Sequence, residues 1–280
     1  MKTTSHQDIS SAIQHFHLND SVISLHGSLR SFGRLQGGAQ TLVEAFLAEG
    51  CTLLVPTFTY FCEVPTPPKH QLRRNGTTYP AFDPKNTISY DKNTTVISKE
   101  MGAIPAYVLS MGSHVRGSHP LNSFAAVGPK AKELIESQTN ENVYAPFKAM
   151  VSAKKSFLLL AGIDLTSATA VHYAEERAGR NLFRRWAKIG DQIVETSVGS
   201  CSNGFNRLHD KLTEIEMVAK SGESTWRIYP FKPFLKITTQ TIIDEPNITR
   251  CANPACERCP DAVLGGPFLD QSAFSIQQKR

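Results

Sequence analysis

Two short apolar runs constrain this chain more than any other feature. Residues 51–55 (CTLLV) stop at Pro56, and residues 157–161 (FLLLA) stop at Gly162. A strand with one wet face alternates apolar and polar side chains. A near-continuous apolar run closed by a turn residue instead fits a strand buried on both faces. Such a strand needs helices above and below its sheet, which implies an α/β fold.

The neighbouring sequence fits that reading. Residues 21–25 (SVISL) form a third strand-like run, followed by a polar, glycine-containing loop at 28–38. Leu42, Val43, Phe46 and Leu47 then recur at helical spacing until Glu49 and Gly50 end the helix. Strand, helix and strand make a βαβ unit. Residues 63–95 carry five prolines among Lys69, Arg73 and Arg74 and read as a long exposed loop, a type that often serves as a lid or binding segment. Helical spacing returns at 97–111 and 131–135. After the 157–161 strand a helix is expected over 170–178, with Thr166 or Ser167 as its cap. Phe205, Leu208, Leu212, Ile215 and Val218 predict one long amphipathic helix ending near Gly222, and 226–229 and 235–243 read as strands. No repeat or clean linker divides the chain, so a single domain is expected.

Composition removes several classes. Of 280 residues, 40% are hydrophobic and 20% charged, which excludes a disordered chain. Thirty basic against 25 acidic side chains give a net charge of +5, too mild to call for nucleic acid. The first twenty residues hold no apolar core of leader length, and no run of about 18 apolar residues occurs anywhere. The expectation is a soluble, cytoplasmic protein with no membrane or nucleic-acid partner. Six cysteines in that setting read as free thiols or metal ligands rather than disulfides.

Four places could carry chemistry. His172 and Glu175 lie three apart on a predicted helix, so imidazole and carboxylate share a face. A carboxylate beside a histidine fixes its tautomer and equips it as a general base. The helix also follows a buried strand, where ligands of α/β sheets bind. Set against this is an ordinary surface His–Glu pair. The second place is the loop with Ser28, Arg30 and the pattern Arg34-Leu35-Gln36-Gly37-Gly38-Ala39, whose glycines and free amides could cradle a coenzyme pyrophosphate; two glycines before a helix are otherwise just a turn. The third is the turn holding His119, Pro120 and Ser123, which could bond a ligand amide or simply cap a turn that leads to a helix. The fourth is Cys251-x4-Cys256-x2-Cys259, three ligands of a tetrahedral zinc site. Cys201, His209 and Asp261 are candidates for the fourth ligand, with Cys201 taken into the set. Reduced thiols on a flexible tail are the alternative. All-thiolate ligation would make the site structural rather than catalytic. Phosphate-loop, dinucleotide, nucleophile-elbow and zinc-protease motifs are absent.

Four blocks in order, over roughly residues 8–220, resemble the aminoglycoside 3-N-acetyltransferase (antibiotic N-acetyltransferase) family. They are residues 25–33 (LHGSLRSFG) with 37–39 (GGA), 81–84 (AFDP), 118–120 (SHP) with 123–129 (SFAAVGP), and 158–160 (LLL) leading to 169–175 (TAVHYAE). The resemblance implies a three-layer α/β/α sandwich around a mostly parallel or mixed sheet. It implies acetyl transfer from acetyl-CoA to an amine by direct attack, with His172 as base and Glu175 orienting it. Ser28, Arg30, Leu35, His119, Ser123 and Phe124 would lie along the coenzyme, and Ser123 or an amide of the Ser28 loop would face the oxyanion. On this reading residues 1–250 are the acetyltransferase domain, and 251–280 a Cys-rich tail packed on it or extending from it.

Two features depart from the antibiotic-resistance members. The Pro-rich loop offers Lys69, His70, Arg73 and Arg74 against Glu63 and Asp83, a poor surface for a polycation. The acceptor is therefore either an aminoglycoside or a neutral or anionic biosynthetic amine. The Cys-rich tail is the second departure. Another acyl-CoA donor, such as malonyl-CoA, and a non-catalytic zinc-stabilised binding protein on the same fold are the alternatives. The oligomeric state stays open, a homodimer being one option.

Overall fold

The three apolar runs become the three central strands of one sheet. The computed structural model describes residues 3–85 and 87–269. Helix α1 (His6–His15) leads to β1 (Val22–Gly27), and α2 (Ala39–Ala48) carries the chain over to β2 (Thr52–Pro56). After the short β3 (Glu63–Val64) and a long irregular segment come α3 (Ala103–Ser110), β4 (Val115–Arg116) and β5 (Phe124–Val127). Helices α4 (Ala131–Ile135) and α5 (Ala145–Ser152) precede β6 (Ser156–Ala161), and α6 (Ala170–Arg177) follows it. A hairpin, β7 (Phe183–Ile189) and β8 (Gln192–Val198), leads through turns and the four-residue α7 (His209–Leu212) to β9 (Met217–Ser221) and β10 (Ser224–Pro230). Helix α8 (Phe231–Asp244) and α9 (Arg258–Val263) complete the described chain.

Seven strands form the main sheet in the order β4-β5-β2-β1-β6-β10-β9. β1 pairs in parallel with both β2 and β6, and every other neighbour pair is antiparallel, so the sheet is mixed. Alternate residues of the central strands feed two separate cores. Ile23, Leu25, Leu53, Val55 and Leu159 pack beneath α1, α2 and α3. Leu54, Leu158 and Leu160 pack on the other face with residues of α4, α5, α6 and α8. This is the expected α/β/α sandwich in a single domain. β3, β7 and β8 form a second, antiparallel sheet with its own small core around Phe183 and Ala187. Among the described residues no helix is long and apolar enough to cross a membrane.

Four sequence expectations give way. Residues 235–243 are helical: Phe231, Phe234, Leu235, Thr238, Thr241 and Ile242 of α8 are buried at i, i+3, i+4 spacing. The β-branched run from Ile237 to Ile243 imitated a strand, but its burial has the helical period. The long helix over 205–218 is replaced by a 3-10 turn (Phe205–Leu208), α7, a second 3-10 turn (Thr213–Ile215) and then β9. The last part of that segment pairs with β10 across the turn at Gly222, whose φ of +60° suits glycine. Ladder bonds of a hairpin outweigh the weak helical preference of a Thr-, Ile- and Val-containing stretch. Residues 97–111 form a 3-10 turn and the shorter α3, because Gly102 (φ +78°) interrupts the pattern. The turn at 118–123 leads into β5, not into a helix.

Candidate active site

A cleft of about 1170 Å³ opens where β1, β2 and β6 end. Strand ends of an α/β sheet leave loops free to diverge, and ligands bind in the gap. Its wall takes residues 25–30 at the end of β1 and beyond, Pro56 at the end of β2, Ile163, Thr166, Ser167 and Thr169 after β6, and 198–203 from the end of β8.

His172 stands in this wall, 8% exposed, on the first turn of α6. Its Nδ1 donates to Glu175 Oε2 at 2.8 Å, the i, i+3 contact expected from helical spacing. No described residue bonds Nε2, which is left as the lone-pair nitrogen for a ligand. The ring packs edge-on to Phe205, with centroids 4.8 Å apart, and lies parallel to Tyr144. Behind it Glu175 is 2% exposed and saturated: Oε2 also accepts from Ser200 Oγ at 2.7 Å, and Oε1 from Arg180 at 2.6 Å. Burial pushes the Glu175 pKa up, yet the hydrogen bond and charge of His172, the Arg180 guanidinium and Ser200 together hold it below the usual carboxylate value. The carboxylate therefore stays ionised and keeps the imidazole in one tautomer. Arg180 is fixed in turn by Thr249 Oγ1 at 2.8 Å and the Pro246 carbonyl at 2.6 Å.

Several contributors lie far from this helix in sequence. Gly199 is required by proximity: a Cβ there would fall 2.4 Å from His172 Cγ and 2.5 Å from Tyr144 Oη. Tyr144 is buried, and its hydroxyl has no hydrogen-bond partner among the described residues. Burial, reinforced by the charge of Glu175, lifts its pKa well above the ordinary phenol value and keeps it a donor. Asn122, also buried, lines the cleft, and no described residue bonds its Oδ1. These residues come from α5's approach, the turn before β5 and the exit of β8. A helix–loop pattern in sequence does not show such convergence, although the glycine at 199 is a small signal of close backbone approach.

Of the other residues singled out in sequence, Ser28 and Arg30 line the cleft. Arg34, Leu35 and Gly37 do not. Leu35 pairs with Thr4 and packs beneath the sheet, Arg34 is exposed outside the wall, and Gly37 is turned against Thr41. His119, Ser123 and Phe124 are all fully buried and are not among the residues that line the cleft. His119 Nδ1 accepts the amides of Leu121 and Asn122, and Nε2 bonds the Ser197 carbonyl at 2.8 Å. Ser123 Oγ donates to the Thr57 carbonyl and accepts from Arg116, so its hydroxyl proton is already engaged away from the cleft. Phe124 packs on Phe58 and Phe147.

The basic side chains of the Pro-rich loop also lie elsewhere. Arg74 covers the Phe268 ring at 3.6 Å and His70 lies against Trp186. The cleft's positive charge comes instead from Arg30, Lys99, Arg185 and Arg258, facing Glu63 and Glu100. Burial pushes the Glu63 carboxyl up, against the pull of Arg185 and Arg258.

The cysteine cluster assembles as grouped in sequence. Cys201, Cys251, Cys256 and Cys259 bring their sulfurs within 4.8 Å of one another, and none is in a disulfide. His209 and Asp261 are not members: Asp261 accepts the Gly76 amide and His209 faces Glu216. The segment from Cys251 onward packs on the body, with Glu257 and Asp261 bonding the amides of Thr78 and Gly76, and the Gly265 carbonyl bonding that of Asn181.

Known proteins share both sequence and fold with this chain. The aminoglycoside N(3)-acetyltransferase III of Salmonella sp is 31% identical over 166 residues, 55% of this chain and 54% of that one. The aminoglycoside N(3)-acetyltransferase IX of Micromonospora chalcea is 30% identical over 169 residues, 56% of each. The chain thus spans about half the length of the curated relatives it matches. Among solved structures, the aminoglycoside acetyltransferase AAC(3)-IVa apoenzyme superposes with a TM-score of 0.77 at 19% identity, over 95% of this chain and 99% of that one. AAC-IIIb, solved as a binary complex with CoASH, gives 0.71 at 16% identity, over 87% and 97%. These two establish the shared fold. The family model for aminoglycoside 3-N-acetyltransferases matches residues 25–242, from β1 through the dyad and into α8, and the chain belongs to that family.

Proposed function

We propose that this protein transfers an acetyl group from acetyl-CoA to a primary amine of a small acceptor, with His172 as general base. The observation that carries this reading is the His172–Glu175 pair, buried on one side and open at Nε2 to a cleft at the strand ends. The amine nitrogen attacks the thioester carbonyl carbon, and its proton passes to His172 Nε2. The tetrahedral intermediate collapses with loss of the C–S bond, and the thiolate takes a proton to leave as free coenzyme. Glu175 stays ionised and stabilises the imidazolium formed midway. Ser28 and Arg30 hold the coenzyme's side of the cleft, where an amide of their turn faces the oxyanion. The relative solved with CoASH supports that ligand class.

The relatives' names point to aminoglycosides as acceptors, which would make the protein an antibiotic-resistance enzyme. A second acceptor is favoured by charge. Arg30, Lys99, Arg185 and Arg258 outnumber Glu63 and Glu100 in the wall, which suits an amine bearing a carboxylate or phosphate better than a polycation. The cysteine cluster supports zinc as a structural component. Thiol release from acetyl-CoA, measured across aminoglycosides, neutral amines and amino acids, tests the reading. Amine-dependent release with at least one class supports it; release from malonyl-CoA but not acetyl-CoA, or from neither, contradicts it.

A further inference from the structure

We infer that Cys201, Cys251, Cys256 and Cys259 bind one zinc ion whose occupancy positions the His172–Glu175 pair and the wall beside it. The inference rests on the reading of the cleft as the acyl-transfer site.

The donor set fits the ion. Thiolates about 2.3 Å from zinc stand at tetrahedral corners roughly 3.8 Å apart, so sulfurs within 4.8 Å need to close by no more than about 1 Å. Two backbone amides already point at the sulfurs, Cys251 N–H at Cys259 Sγ (3.3 Å) and Cys259 N–H at Cys256 Sγ (3.5 Å). Such bonds orient and stabilise metal-bound thiolates. The ligands come from two remote parts of the chain, the exit of β8 and the segment around α9, so the ion would cross-link them.

What lies next to each ligand gives the cross-link its consequence. Cys201 directly follows Ser200, which bonds Glu175, and Gly199, whose backbone lies against the His172 ring. From the other side Arg180 grips Glu175 and also Thr249, two residues before Cys251. The dyad carboxylate is therefore held by two arms that meet at the same cluster. Between them the backbone of Gly204 abuts Thr249 and Arg250, too close for a side chain. A third element of the cleft, Arg258, lies between Cys256 and Cys259. The 199–203 segment has no ladder or helical bonds of its own, so the ion would be the anchor that defines it.

The test uses the full chain. Elemental analysis should give one zinc per chain for the wild type and well under half for Cys201→Ala, with Cys201→His restoring the metal as a Cys3His site. In kinetics Cys201→Ala should lower kcat/KM for the amine about 10- to 100-fold, leave acetyl-CoA affinity within about twofold, and move the acid limb of the pH profile, with Cys201→His recovering most of the rate. Should Cys201→Ala fail to fold, zinc withdrawal from the wild type by a chelator gives the same comparison. Hydrogen exchange at residues 199–204 reads the clamp without turnover. Protection that falls on zinc removal supports the proposal whatever the transfer assay returns. Zinc below about one-tenth per chain, or unchanged exchange in zinc-free protein, overturns it.

Discussion

His172 and His119 are both buried near the strand ends, and only His172 keeps a ring nitrogen that no described residue bonds. His119 spends both nitrogens on the protein, accepting two amides at Nδ1 and bonding the Ser197 carbonyl at Nε2. Burial drives its pKa down to about 4, against a partial lift from Ser197, so it is a neutral strut tying the turn before β5 to β8. His172 spends one nitrogen on an ionised carboxylate and shows the other to the cleft. Burial alone does not separate the proposed catalytic histidine from the structural one. What separates them is whether a lone pair is left over and what charge stands behind the ring.

Glu175→Gln attacks the difference at its root. It leaves Arg180 buried opposite a neutral amide, which should cost about 3–5 kcal/mol of stability. It also frees the imidazole tautomer, so kcat should fall about 10- to 100-fold. Chemical denaturation and steady-state kinetics check the two effects. An unchanged kcat would reduce Glu175 to a packing residue.

The strut has its own signature in pH. His119, and His26 beside the cleft, are both held near pKa 4 by burial, against about 6.5 when unfolded. Between those values the unfolded chain binds protons that the folded chain refuses. Stability is thus full above about pH 6.5 and declines as pH falls toward 4, by about 3 kcal/mol per ring. Denaturation from pH 7.5 to 4.5 should show that decline, and His119→Gln should flatten part of it with little change in kcat. A slope equal to the wild type's would mean His119 is already protonated when folded.

Gly199→Ala sharpens the contrast from the reactive side. Its methyl must displace the His172 ring or the Tyr144 hydroxyl, and a misplacement of about 1 Å can cost roughly 100-fold in rate. Acetyl-CoA binding should persist, which isothermal calorimetry can measure. Ser123→Ala marks the quiet end: about 1 kcal/mol of stability from the lost Thr57 and Arg116 bonds, with KM for acetyl-CoA within about twofold. A large rise in that KM would restore Ser123 to the coenzyme's path.

The same contrast explains what could be read in advance. The three central strands were legible because burial on both faces leaves an unbroken apolar run. The His172–Glu175 contact was legible because it is local, three residues on one helix. α8 was not, since Ile237, Thr238, Thr239, Thr241, Ile242 and Ile243 carry strand preference while burial follows the helical period. β9 was hidden inside an apparent helix until its pairing with β10 decided the matter. Around the dyad, Ser200, Arg180, Gly199 and Tyr144 arrive from separate elements, and only the fold brings them together. His119 and Ser123 pose the opposite case. Polar residues in a turn beside a sheet edge look available for a ligand, but here backbone groups had already claimed them. The four cysteines were grouped correctly because three of them are close in sequence and thiols have few other uses in such a cluster.

The most direct measurement is the turnover of His172→Ala set beside its affinity for acetyl-CoA. The account predicts that amine-dependent thiol release falls about 10²- to 10⁴-fold while the coenzyme's Kd stays within about threefold, because the ring acts on the acceptor's proton and not on the donor. Full turnover in His172→Ala with every amine the wild type accepts would contradict it.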